Sequence, residues 1–450
     1  MLDLNGFKAY DIRGRYPVTL NEELAKNIGY AYAKEFLPKS VVIGFDARLS
    51  GPNLYHALAD GLRAAGVDVT GIGMCGTEEI YYASFAKGFE GGIMVTGSHN
   101  PADENGFKMV RGGAVPVSGD SGLFAIRDRI ANGQNIPEKL IGSFTETSFR
   151  DDYVEHLLSY IDQSKLKKLK IVADPGNGCA GLVLEKLTKK LPFDFTIINA
   201  QPDGNFPNGV PNPLLPTSRN ITVKAVKEHK ADIGLAWDGD FDRCFFYDSD
   251  GNFIEGYYLV GMIAESLLQL NPGSKIIHDP RLTWNTQEVV KNAGGTAIES
   301  KTGHAFIKER MRKEDALYGG EMSAHHYFRD FSYCDSGMIS WLLVAQLLCT
   351  SGKTLAEFVE SAIQAHPCSG EINSKVADIK SIVAQVEDLY GKMPGAIVKH
   401  IDGLSVEFKD WRFNLRGSNT EPILRLNVES KNNRQLMEEK TKELLEIIRK

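Results

Sequence analysis

The sequence predicts an α/β protein: three related α/β domains with mixed or parallel sheets, followed by a smaller α+β domain. Its length of 450 residues exceeds what one compact core usually holds, so three or four domains are expected. Three short β-branched runs that end in Asp, each followed by helical periodicity, indicate repeated βαβ units. After about residue 365 the pattern changes to alternating strands and one final helix, which is typical of an α+β domain.

Composition and charge narrow the class of protein. A content of 42% hydrophobic and 24% charged residues indicates a packed globular chain and excludes a largely disordered one. The 51 basic and 58 acidic residues give a net charge of −7, which excludes a dominant nucleic-acid-binding surface. The six cysteines lie far apart without metal-binding spacing, as expected in a reducing compartment. The N-terminal residues lack a signal-peptide pattern, and the longest apolar stretch, Gly337 to Cys349, is too short for a bilayer. We therefore expect a cytoplasmic protein without membrane or nucleic-acid partners.

The three βαβ units follow the same order of elements. The first strands read VVIGFD, KIVADP and KIIHDP and end at Asp46, Asp174 and Asp279, at unequal spacing, so the units are related domains and not a solenoid. The second strands read VDVTGIG, FTIINA and GTAIES. The helices between them are predicted from apolar residues at helical spacing: Leu54, Leu58 and Leu62; Leu182, Leu187 and Leu191; Val289 and Val290. The expected domain bounds are 1–148, 149–253, 254–365 and 366–450.

A third strand in each unit ends in polar residues, where open α/β sheets bind ligands. In the first unit this is GGIMVTGSHNP, in which Ser98 is a candidate nucleophile on a tight loop. A serine hydroxyl needs a base, a metal or a preformed phosphate to react. His99 and Lys108 are candidates to move a proton or supply charge. The alternative is a capped turn, because Ser, Asn and Pro all favour turns.

The second unit carries the acidic segment DGDFDR. Asp238, Asp240 and Asp242 would repel one another without a cation among them, and oxygen ligands at this density favour Mg²⁺ or Ca²⁺. An EF-hand is excluded because Arg243 and Ser249 stand where its Gly and Glu would be. The alternative is a solvated acidic turn, which the apolar approach GLAW disfavours.

Two other segments imitate binding motifs. Residues 248–252 form an acidic cluster, but the Asp-Gly pair between apolar runs predicts a β-hairpin turn without metal. Residues 176–181 match G-x-G-x-x-G, but the next strand lacks the acid that would bind a ribose, so a structural turn is favoured over NAD binding.

The third unit and the C-terminal region supply two further candidate loops. In GGEMSAH, Glu321 and Ser323 could hydrogen-bond sugar hydroxyls, and His325 could act as acid or base. His304 adds a polar turn upstream, whereas His326 is expected to be structural. Residues 416–420, RGSNT, have the composition of a phosphate cradle, with a hairpin turn as the alternative.

Taken together and in this order, TGSHNP, DGDFDR, GEMSAH and RGSNTEP, with KAYDIRG near the N-terminus, resemble the α-D-phosphohexomutase family over essentially the whole chain. The resemblance implies three related α/β domains and a smaller fourth around a central cleft, each contributing one loop. These would be the phosphoserine, metal-binding, sugar-recognition and phosphate-binding loops. Two departures are Ala324, where Gly is usual, and Ala47, where Ser or Thr is common.

The resemblance also implies roles for individual residues. Ser98 would be the phosphorylated serine, and it would bind Mg²⁺ together with Asp238, Asp240 and Asp242. The groups implied in catalysis are Ser98, Lys108, Arg13, Arg243 and His325, and His99 stays a catalytic candidate from its position beside Ser98. The groups implied in substrate binding are Tyr10, His304, Glu321, Ser323, Arg416, Ser418, Asn419 and Thr420.

The implied reaction moves phosphate between C1 and C6 of a hexose through a hexose 1,6-bisphosphate. The segment SAHHYFRDFSYCDSGM most resembles bacterial members that act on mannose phosphates and supply GDP-mannose for polysaccharide synthesis. Mannose 1- and 6-phosphate are therefore the expected partners, with a bisphosphate activator and a monomer or dimer as the assembly. Glucose phosphates, or both sugars, are the alternative substrates. From other classes, a non-catalytic sugar-phosphate binding protein and a phosphoserine phosphatase-like hydrolase stay open.

Overall fold

The structure is a computed structural model that describes residues 2–417 and 423–450. Contacts divide the chain into two compact units. Unit 1 holds the residues up to Phe253 together with His325–Gly352, and unit 2 holds Ile254–Ala324 and Lys353–Lys450.

The N-terminal part of unit 1 is a mixed sheet covered by helices. Its strands are β1 (Ile12–Arg15), β2 (Ser40–Phe45), β3 (Asp68–Met74), β4 (Gly91–Val95), β5 (Glu104–Arg111), β6 (Val115–Pro116) and β7 (Phe144–Glu146). Its helices are α1 (Glu22–Phe36), α2 (Gly51–Ala64), α3 (Thr77–Ala86) and α4 (Phe124–Ala131). The strand order is β1-β5-β4-β2-β3-β7, with β6 beside β5. Strand β2 is parallel to both β3 and β4, which confirms the predicted βαβ unit.

The next part of unit 1 repeats this arrangement. Its elements are α5 (Arg150–Leu158), β8 (Lys170–Asp174), α6 (Ala180–Leu187), β9 (Asp194–Ile197), α7 (Asn220–His229), β10 (Ile233–Trp237), β11 (Cys244–Tyr247) and β12 (Phe253–Ile254). Strand β8 is parallel to β9 and β10, and β11 is antiparallel to β10. Helix α6 ends at Leu187 and a 3₁₀ turn covers Thr188–Lys190, so Leu191, which the helical spacing included, lies just beyond the helix.

A third α/β part begins unit 2. Its elements are α8 (Gly256–Leu270), β13 (Lys275–His278), α9 (Trp284–Asn292), β14 (Thr296–Glu299), α10 (His304–Glu314) and β15 (Tyr318–Gly320). Strand β13 is parallel to β14 and β15. The chain then returns to unit 1 for the antiparallel strands β16 (His326–Phe328) and β17 (Cys334–Asp335) and for helix α11 (Gly337–Ser351).

The C-terminal part of unit 2 is the predicted α+β region. After α12 (Leu355–Ala365), its elements are β18 (Ile372–Lys375), α13 (Ile379–Tyr390), β19 (Ile397–Lys399), β20 (Leu404–Glu407), β21 (Trp411–Gly417), β22 (Ile423–Ser430) and α14 (Arg434–Ile448). The sheet order is β18-β22-β21-β20-β19, and every pair is antiparallel. Alternate residues of β21 and β22, such as Phe413 and Leu426, are buried in the core of this region.

Within residues 2–417 and 423–450, no single helix is long and apolar enough to cross a bilayer. Helices α11 and α12 meet the criteria of length and composition only when they are counted together.

Candidate active site

Ser98 lies in the loop between β4 and β5, at the carboxyl end of the parallel strand β4. Its side chain is buried, and its Oγ donates a hydrogen bond to Asp238 Oδ2 over 2.9 Å. Its backbone N–H donates to Thr96 Oγ1 at 2.8 Å. Ser98 has a φ of 49°, in the left-handed region that a residue with a side chain rarely adopts. The hydroxyl is therefore held toward the acidic segment by an unusual backbone conformation.

The acidic triplet follows strand β10, and all three carboxylates are fully buried. Lys108, on β5, donates from Nζ to Asp240 Oδ2 at 2.7 Å and to Asp242 Oδ2 at 2.5 Å. Arg243 donates from Nε to Asp238 Oδ2 at 2.9 Å. The solvated surface turn considered from the sequence is therefore wrong, because these carboxylates face an internal cluster of charges.

Three carboxylates in this cluster face two directly bonded cations, Lys108 and Arg243. Burial and repulsion by Asp240 raise the pKa of Asp242 above its ordinary value. Burial alone would also raise the pKa of Asp240, but the charge of Lys108 outweighs it and lowers that pKa. A further cation would relieve the remaining excess of negative charge.

The triplet fits a hard divalent cation. Carboxylate oxygens of Asp238, Asp240 and Asp242 lie within 4.8 Å of one another. Oδ1 of Asp240 and Oδ1 of Asp242 are buried and accept no hydrogen bond from any described residue. Thr77 donates from Oγ1 to Asp240 Oδ2 at 2.5 Å, which leaves the other oxygen of that carboxylate for a metal. A set of oxygen donors alone favours Mg²⁺ or Ca²⁺ over softer metals.

Three other predicted residues lie in the same part of unit 1. His99 Nδ1 lies 3.1 Å from Ser98 Oγ and accepts a hydrogen bond from Arg243 Nη2 at 2.6 Å. Burial, with the charge of Arg243, lowers the pKa of His99 well below its ordinary value, so the ring is neutral. Arg13, on β1, donates from Nη1 to Thr96 O at 2.7 Å, beside the Ser98 loop. Tyr10 lies in the bend just before β1 and is half-buried.

His325 is brought to the acidic triplet by the segment that returns to unit 1. It pairs as an isolated antiparallel bridge with Arg243. Its Nδ1 lies 2.8 Å from Asp335 Oδ2 and 3.9 Å from Asp242 Oδ1. His325 is therefore close to both a carboxylate partner and the triplet, whereas the adjacent His326 is buried in β16, as predicted.

The predicted sugar-recognition residues lie together in unit 2. Glu321 follows β15 and accepts a hydrogen bond from Gly303 N at 3.0 Å on Oε1, immediately before His304 begins α10. Ser323 Oγ accepts from Arg281 Nη2 at 3.1 Å. The loop thus presents a carboxylate and a hydroxyl, which are suitable partners for hydroxyl groups.

Arg416 lies on β21 and donates from Nη1 to Asp402 Oδ2 at 3.1 Å. Asp402 Oδ2 also accepts from Thr302 N at 3.2 Å, in the turn that precedes His304. The other predicted phosphate-binding residues, Ser418, Asn419 and Thr420, lie outside the described residues.

The two imitated motifs have structural explanations. Asp248 Oδ1 accepts hydrogen bonds from Asp250 N at 3.0 Å and Asn252 N at 2.8 Å, so this acid closes the predicted hairpin turn. In the 176–181 turn, a Cβ at Gly178 would lie 2.8 Å from the Gly239 carbonyl oxygen. That close approach explains a glycine there through packing.

Several residues that contact the predicted site residues were not predicted from the sequence. They are Thr77, Asp335, the pair Asp46 and Arg48, and the pair Asp279 and Arg281. The two pairs share a signal that the sequence does contain, because Asp-x-Arg recurs where the first strand of a βαβ unit ends. No comparable pattern distinguishes Thr77 or Asp335.

Comparisons with known proteins agree with this architecture. Family models match along the chain as phosphoglucomutase/phosphomannomutase alpha/beta/alpha domain I over residues 4–136, domain II over 151–251 and domain III over 255–366, and as the C-terminal domain over 371–446. The chain is 55% identical over 448 residues to "phosphohexose mutases" of Xanthomonas campestris, covering 100% of both chains. It is 56% identical over 456 residues to a phosphomannomutase of Salmonella montevideo, again covering 100% of both.

A solved structure is also similar over nearly the full length. The phosphoglucomutase/phosphomannomutase family protein of Burkholderia thailandensis has a TM-score of 0.88 and 34% identity, covering 99% of this chain and 98% of that one. These matches define the class as phosphohexomutases. The chain belongs to the phosphoglucomutase/phosphomannomutase family of enzymes.

Proposed function

We propose that the chain is a Mg²⁺-dependent phosphomannomutase that interconverts mannose 1-phosphate and mannose 6-phosphate. The observation that carries the proposal is the contact of Ser98 Oγ with Asp238, beside two further buried carboxylates. A serine at this position can carry a phosphoryl group whose charge requires a cation. The full-length similarity to proteins named phosphomannomutase supports mannose as the sugar.

The proposed reaction starts from phosphorylated Ser98. A hydroxyl oxygen of the hexose monophosphate attacks phosphorus, the bond from phosphorus to Ser98 Oγ breaks, and a hexose 1,6-bisphosphate results. The bisphosphate then turns over and returns its other phosphoryl group to Ser98. Each half-reaction is the reverse of the other in form, so the enzyme ends the cycle phosphorylated.

Residues of unit 1 would support the transfer by charge and proton transfer. Lys108, Arg13 and Arg243 would stabilise the charge on the transferring group, because phosphoryl transfer depends mainly on positioning and electrostatics. His325 would accept the proton of the attacking hydroxyl, with Asp335 beside Nδ1. His99 is neutral and would accept hydrogen bonds beside Ser98.

Ser98, Asp238, Asp240 and Asp242 are the proposed ligands of Mg²⁺. When bound, the ion would neutralise charge on the phosphoryl oxygens. Mg²⁺ is preferred over Ca²⁺ here because a compact set of carboxylates with phosphate oxygens is its usual environment in phosphoryl-transfer enzymes.

Residues of unit 2 are proposed to bind the substrate. Glu321 and Ser323, helped by His304, would bind sugar hydroxyls. Arg416, with Ser418, Asn419 and Thr420, would bind the phosphate that is not transferred, and Tyr10 of unit 1 is a further proposed substrate contact.

Several finer statements belong to the same proposal. The four domain bounds given above, a hexose 1,6-bisphosphate activator, a monomeric or dimeric assembly and a cytoplasmic location are expected. Supply of GDP-mannose for polysaccharide synthesis is the expected metabolic role.

A coupled assay with mannose, glucose and glucosamine 1-phosphates, primed with a hexose 1,6-bisphosphate, tests the sugar. We expect the highest kcat/KM for mannose 1-phosphate. Equal or higher kcat/KM for glucose 1-phosphate would replace the proposal by a dual enzyme or a phosphoglucomutase.

Intact mass before and after phosphatase treatment tests the chemistry. We expect one phosphate on the wild type and none on Ser98→Ala, with turnover nearly abolished in that variant. Ser84→Ala, a buried serine elsewhere in unit 1, is the matched control and should keep both. A protein that binds sugar phosphates without acquiring phosphate would be a binding protein, and release of free phosphate as fast as isomerisation would indicate a hydrolase.

A further inference from the structure

Four backbone carbonyl oxygens of the segment around Ser98 accept hydrogen bonds from the buried guanidinium of Arg48. Arg48 Nη2 donates to the carbonyl oxygens of Ser98 at 2.9 Å and Asn100 at 2.6 Å. Its Nη1 donates to the carbonyl oxygen of Glu104 at 2.7 Å and to that of Pro101. A single planar side chain therefore binds four backbone carbonyls of the loop, an arrangement that suits the fork of Arg and not a point charge.

Asp46 holds the other side of the same loop. Its Oδ2 accepts hydrogen bonds from Thr96 Oγ1 at 2.7 Å and Gly97 N at 3.1 Å, and lies 3.3 Å from Arg48 Nε. A Cβ at Gly97 would lie 2.2 Å from Arg48 Nε, so the loop backbone rests directly on the guanidinium. Asp46 and Arg48 thus contact the loop both before and after the Ser98 side chain.

These contacts reach the backbone of Ser98 and not its hydroxyl. The left-handed φ of 49° is unfavourable for serine, and buried carbonyls without donors are unfavourable too. Arg48 supplies the donors in the one conformation that directs Ser98 Oγ to Asp238. The pair therefore sets where the reacting oxygen lies, without contacting it.

The same device recurs in unit 2. Arg281 N donates to Asp279 Oδ1 at 2.9 Å, as Arg48 N donates to Asp46 Oδ1 at 3.1 Å. Asp279 Oδ2 accepts from Met322 N at 2.8 Å, two residues after β15, just as Asp46 Oδ2 accepts from Gly97 N, two residues after β4. Arg281 then donates to Ser323 Oγ at 3.1 Å.

The middle α/β region keeps the backbone hydrogen bond, since Gly176 N donates to Asp174 Oδ1 at 3.0 Å, but it lacks the arginine. Gly176 stands where the arginine would be, and Asp174 instead accepts hydrogen bonds from Asn199 Nδ2 at 2.9 Å and Thr222 Oγ1 at 2.7 Å. Of the three α/β regions, the arginine therefore occurs in the two whose third strand leads to Ser98 or to the proposed sugar-binding residues.

We infer that Arg48, oriented by Asp46, is a positioning residue for phosphoryl transfer to and from Ser98. Arg281, oriented by Asp279, is the corresponding positioning residue for the loop of Glu321 and Ser323. This inference deepens the proposed function and rests on it. The two arginines are expected to affect different kinetic constants. Substitution of Arg48 should change kcat, and substitution of Arg281 should change KM.

The kinetic test compares full-length Arg48→Met, Arg48→Lys and Arg281→Met with the wild type. Arg48→Met is expected to lower kcat about 100-fold and to leave KM within about threefold, because a small displacement of a reacting atom has an effect of that size. Arg48→Lys is expected to recover little of the loss, since an ammonium cannot bind four carbonyls. Arg281→Met is expected to raise KM for mannose 1-phosphate while Ser98 still becomes phosphorylated.

Arg219→Met is the matched control. Arg219 also binds two loop carbonyls, those of Pro213 and Leu214, and stacks on Phe253, as Arg48 does on Phe206. It contacts a different loop of unit 1, so kcat and KM should both stay within about threefold of the wild type.

Hydrogen exchange measured by mass spectrometry gives a readout independent of activity. Arg48→Met should exchange at least about tenfold faster over residues 96–104, with the rest of unit 1 unchanged, because that segment opens more often once its carbonyl oxygens lose the donors of Arg48. Unchanged exchange there, an unchanged kcat, or faster exchange throughout unit 1 in both Arg48 variants would overturn the inference. If the wild type isomerises no hexose phosphate, the proposed function fails, and the exchange over 96–104 still decides whether Arg48 positions the loop.

Discussion

The buried residues around Ser98 share hydrogen bonds and charges, so a change at one of them alters the hydrogen bonds or the pKa of its neighbours. Asp240 shares one oxygen between Lys108 and Thr77 and leaves the other without a donor among the described residues. Burial alone would lower the pKa of Lys108, but Asp240 and Asp242 outweigh it and raise that pKa, so the ammonium stays charged. The cluster is therefore stable only if its excess carboxylate charge is met by a cation or by protonation.

Thr77→Val should weaken metal binding without removing a ligand. The variant keeps the side-chain shape but loses the hydroxyl that orients Asp240, and losses of this kind typically weaken metal affinity by about tenfold or more. We expect about a tenfold rise in the Mg²⁺ concentration needed for half-maximal activity and a matching rise in the Kd for Mn²⁺ measured by electron paramagnetic resonance. Thr77→Ser, which keeps the hydroxyl, is the control. Equal Mn²⁺ affinity in Thr77→Val and the wild type would contradict this role.

Asp279 predicts a pH dependence of stability in unit 2. Burial alone would raise the pKa of Asp279, but the charge and hydrogen bonds of Arg281 outweigh it, and the pKa lies below its ordinary value. The native state therefore binds fewer protons, and the stabilisation is complete above about pH 4 and is lost as the pH falls through the native pKa. The difference in urea midpoint between wild type and Asp279→Asn should be largest near pH 6 and should shrink below about pH 4.

Asp388→Asn, at an exposed site on α13, is the control for that measurement and should change the midpoint little at any pH. A difference between wild type and Asp279→Asn that stays constant from pH 6 to pH 2.5 would show that the Asp279 charge has no part in the stability.

At the scale of elements, the first N–H groups of helix α11 donate hydrogen bonds to a carboxyl group from another helix. Glu78, on α3, accepts hydrogen bonds from Gly337 N at 2.7 Å and Met338 N at 3.1 Å on Oε1. Its Oε2 accepts from Ser336 Oγ and from Tyr153 Oη, the latter at 2.6 Å. Burial raises the pKa of Glu78 well above its ordinary value, and the hydrogen bonds that it accepts oppose this shift. The carboxyl group satisfies N–H groups of the first turn of α11 and joins three separate segments of unit 1.

Glu78→Gln should therefore destabilise the protein more than an ordinary helix cap does. The amide turns a donor toward groups that are themselves donors inside the core, and we expect the free energy of unfolding to fall by about 2–3 kcal/mol. Glu357→Gln, in the exposed cap of α12, is the matched change and should lower the free energy of unfolding much less. Urea unfolding of both variants gives the comparison, and equal losses would mean that Glu78 is not a special cap.

The loops that join these elements show where the sequence was informative. The ends of β2, β8 and β13 were predictable because buried parallel strands are continuous apolar runs. The left-handed conformations of Ser98 and of Ala324, with φ values of 49° and 71°, were not predictable from residue type, because side chains disfavour them. They persist because surrounding contacts, such as those of Arg48, outweigh the local preference.

At the scale of the whole molecule, the residues proposed for phosphoryl transfer and those proposed for sugar binding belong mainly to different units. Ser98, the carboxylate triplet and His325 belong to unit 1, whereas Glu321, Ser323 and Arg416 belong to unit 2. The chain supplies unit 1 twice, before Ile254 and again over His325–Gly352. Ala324 and His325, which are adjacent in the sequence, therefore belong to different units.

This division predicts that binding and transfer can be impaired separately. Glu321→Ala should raise the KM for mannose 1-phosphate about tenfold through loss of a charged hydrogen-bonding group, and leave Mn²⁺ affinity and phosphorylation of Ser98 unchanged. Glu360→Ala, an exposed glutamate of α12 in the same unit, is the control and should alter none of these. Loss of metal binding in Glu321→Ala would contradict the assignment of the two loops.

The sequence by itself determined the α/β class, the three βαβ repeats, the acidic triplet and the loop serine, because these depend on periodicity and on residues close together along the chain. Only the tertiary structure decided that Asp-x-Arg pairs hold the reactive loops, that Glu78 caps α11 and that His325 faces Asp335. Those contacts join residues about 10 to 260 positions apart. Their partners are selected by packing and by the need to satisfy buried charges, and even the recurring Asp-x-Arg pattern does not show which loop each arginine contacts.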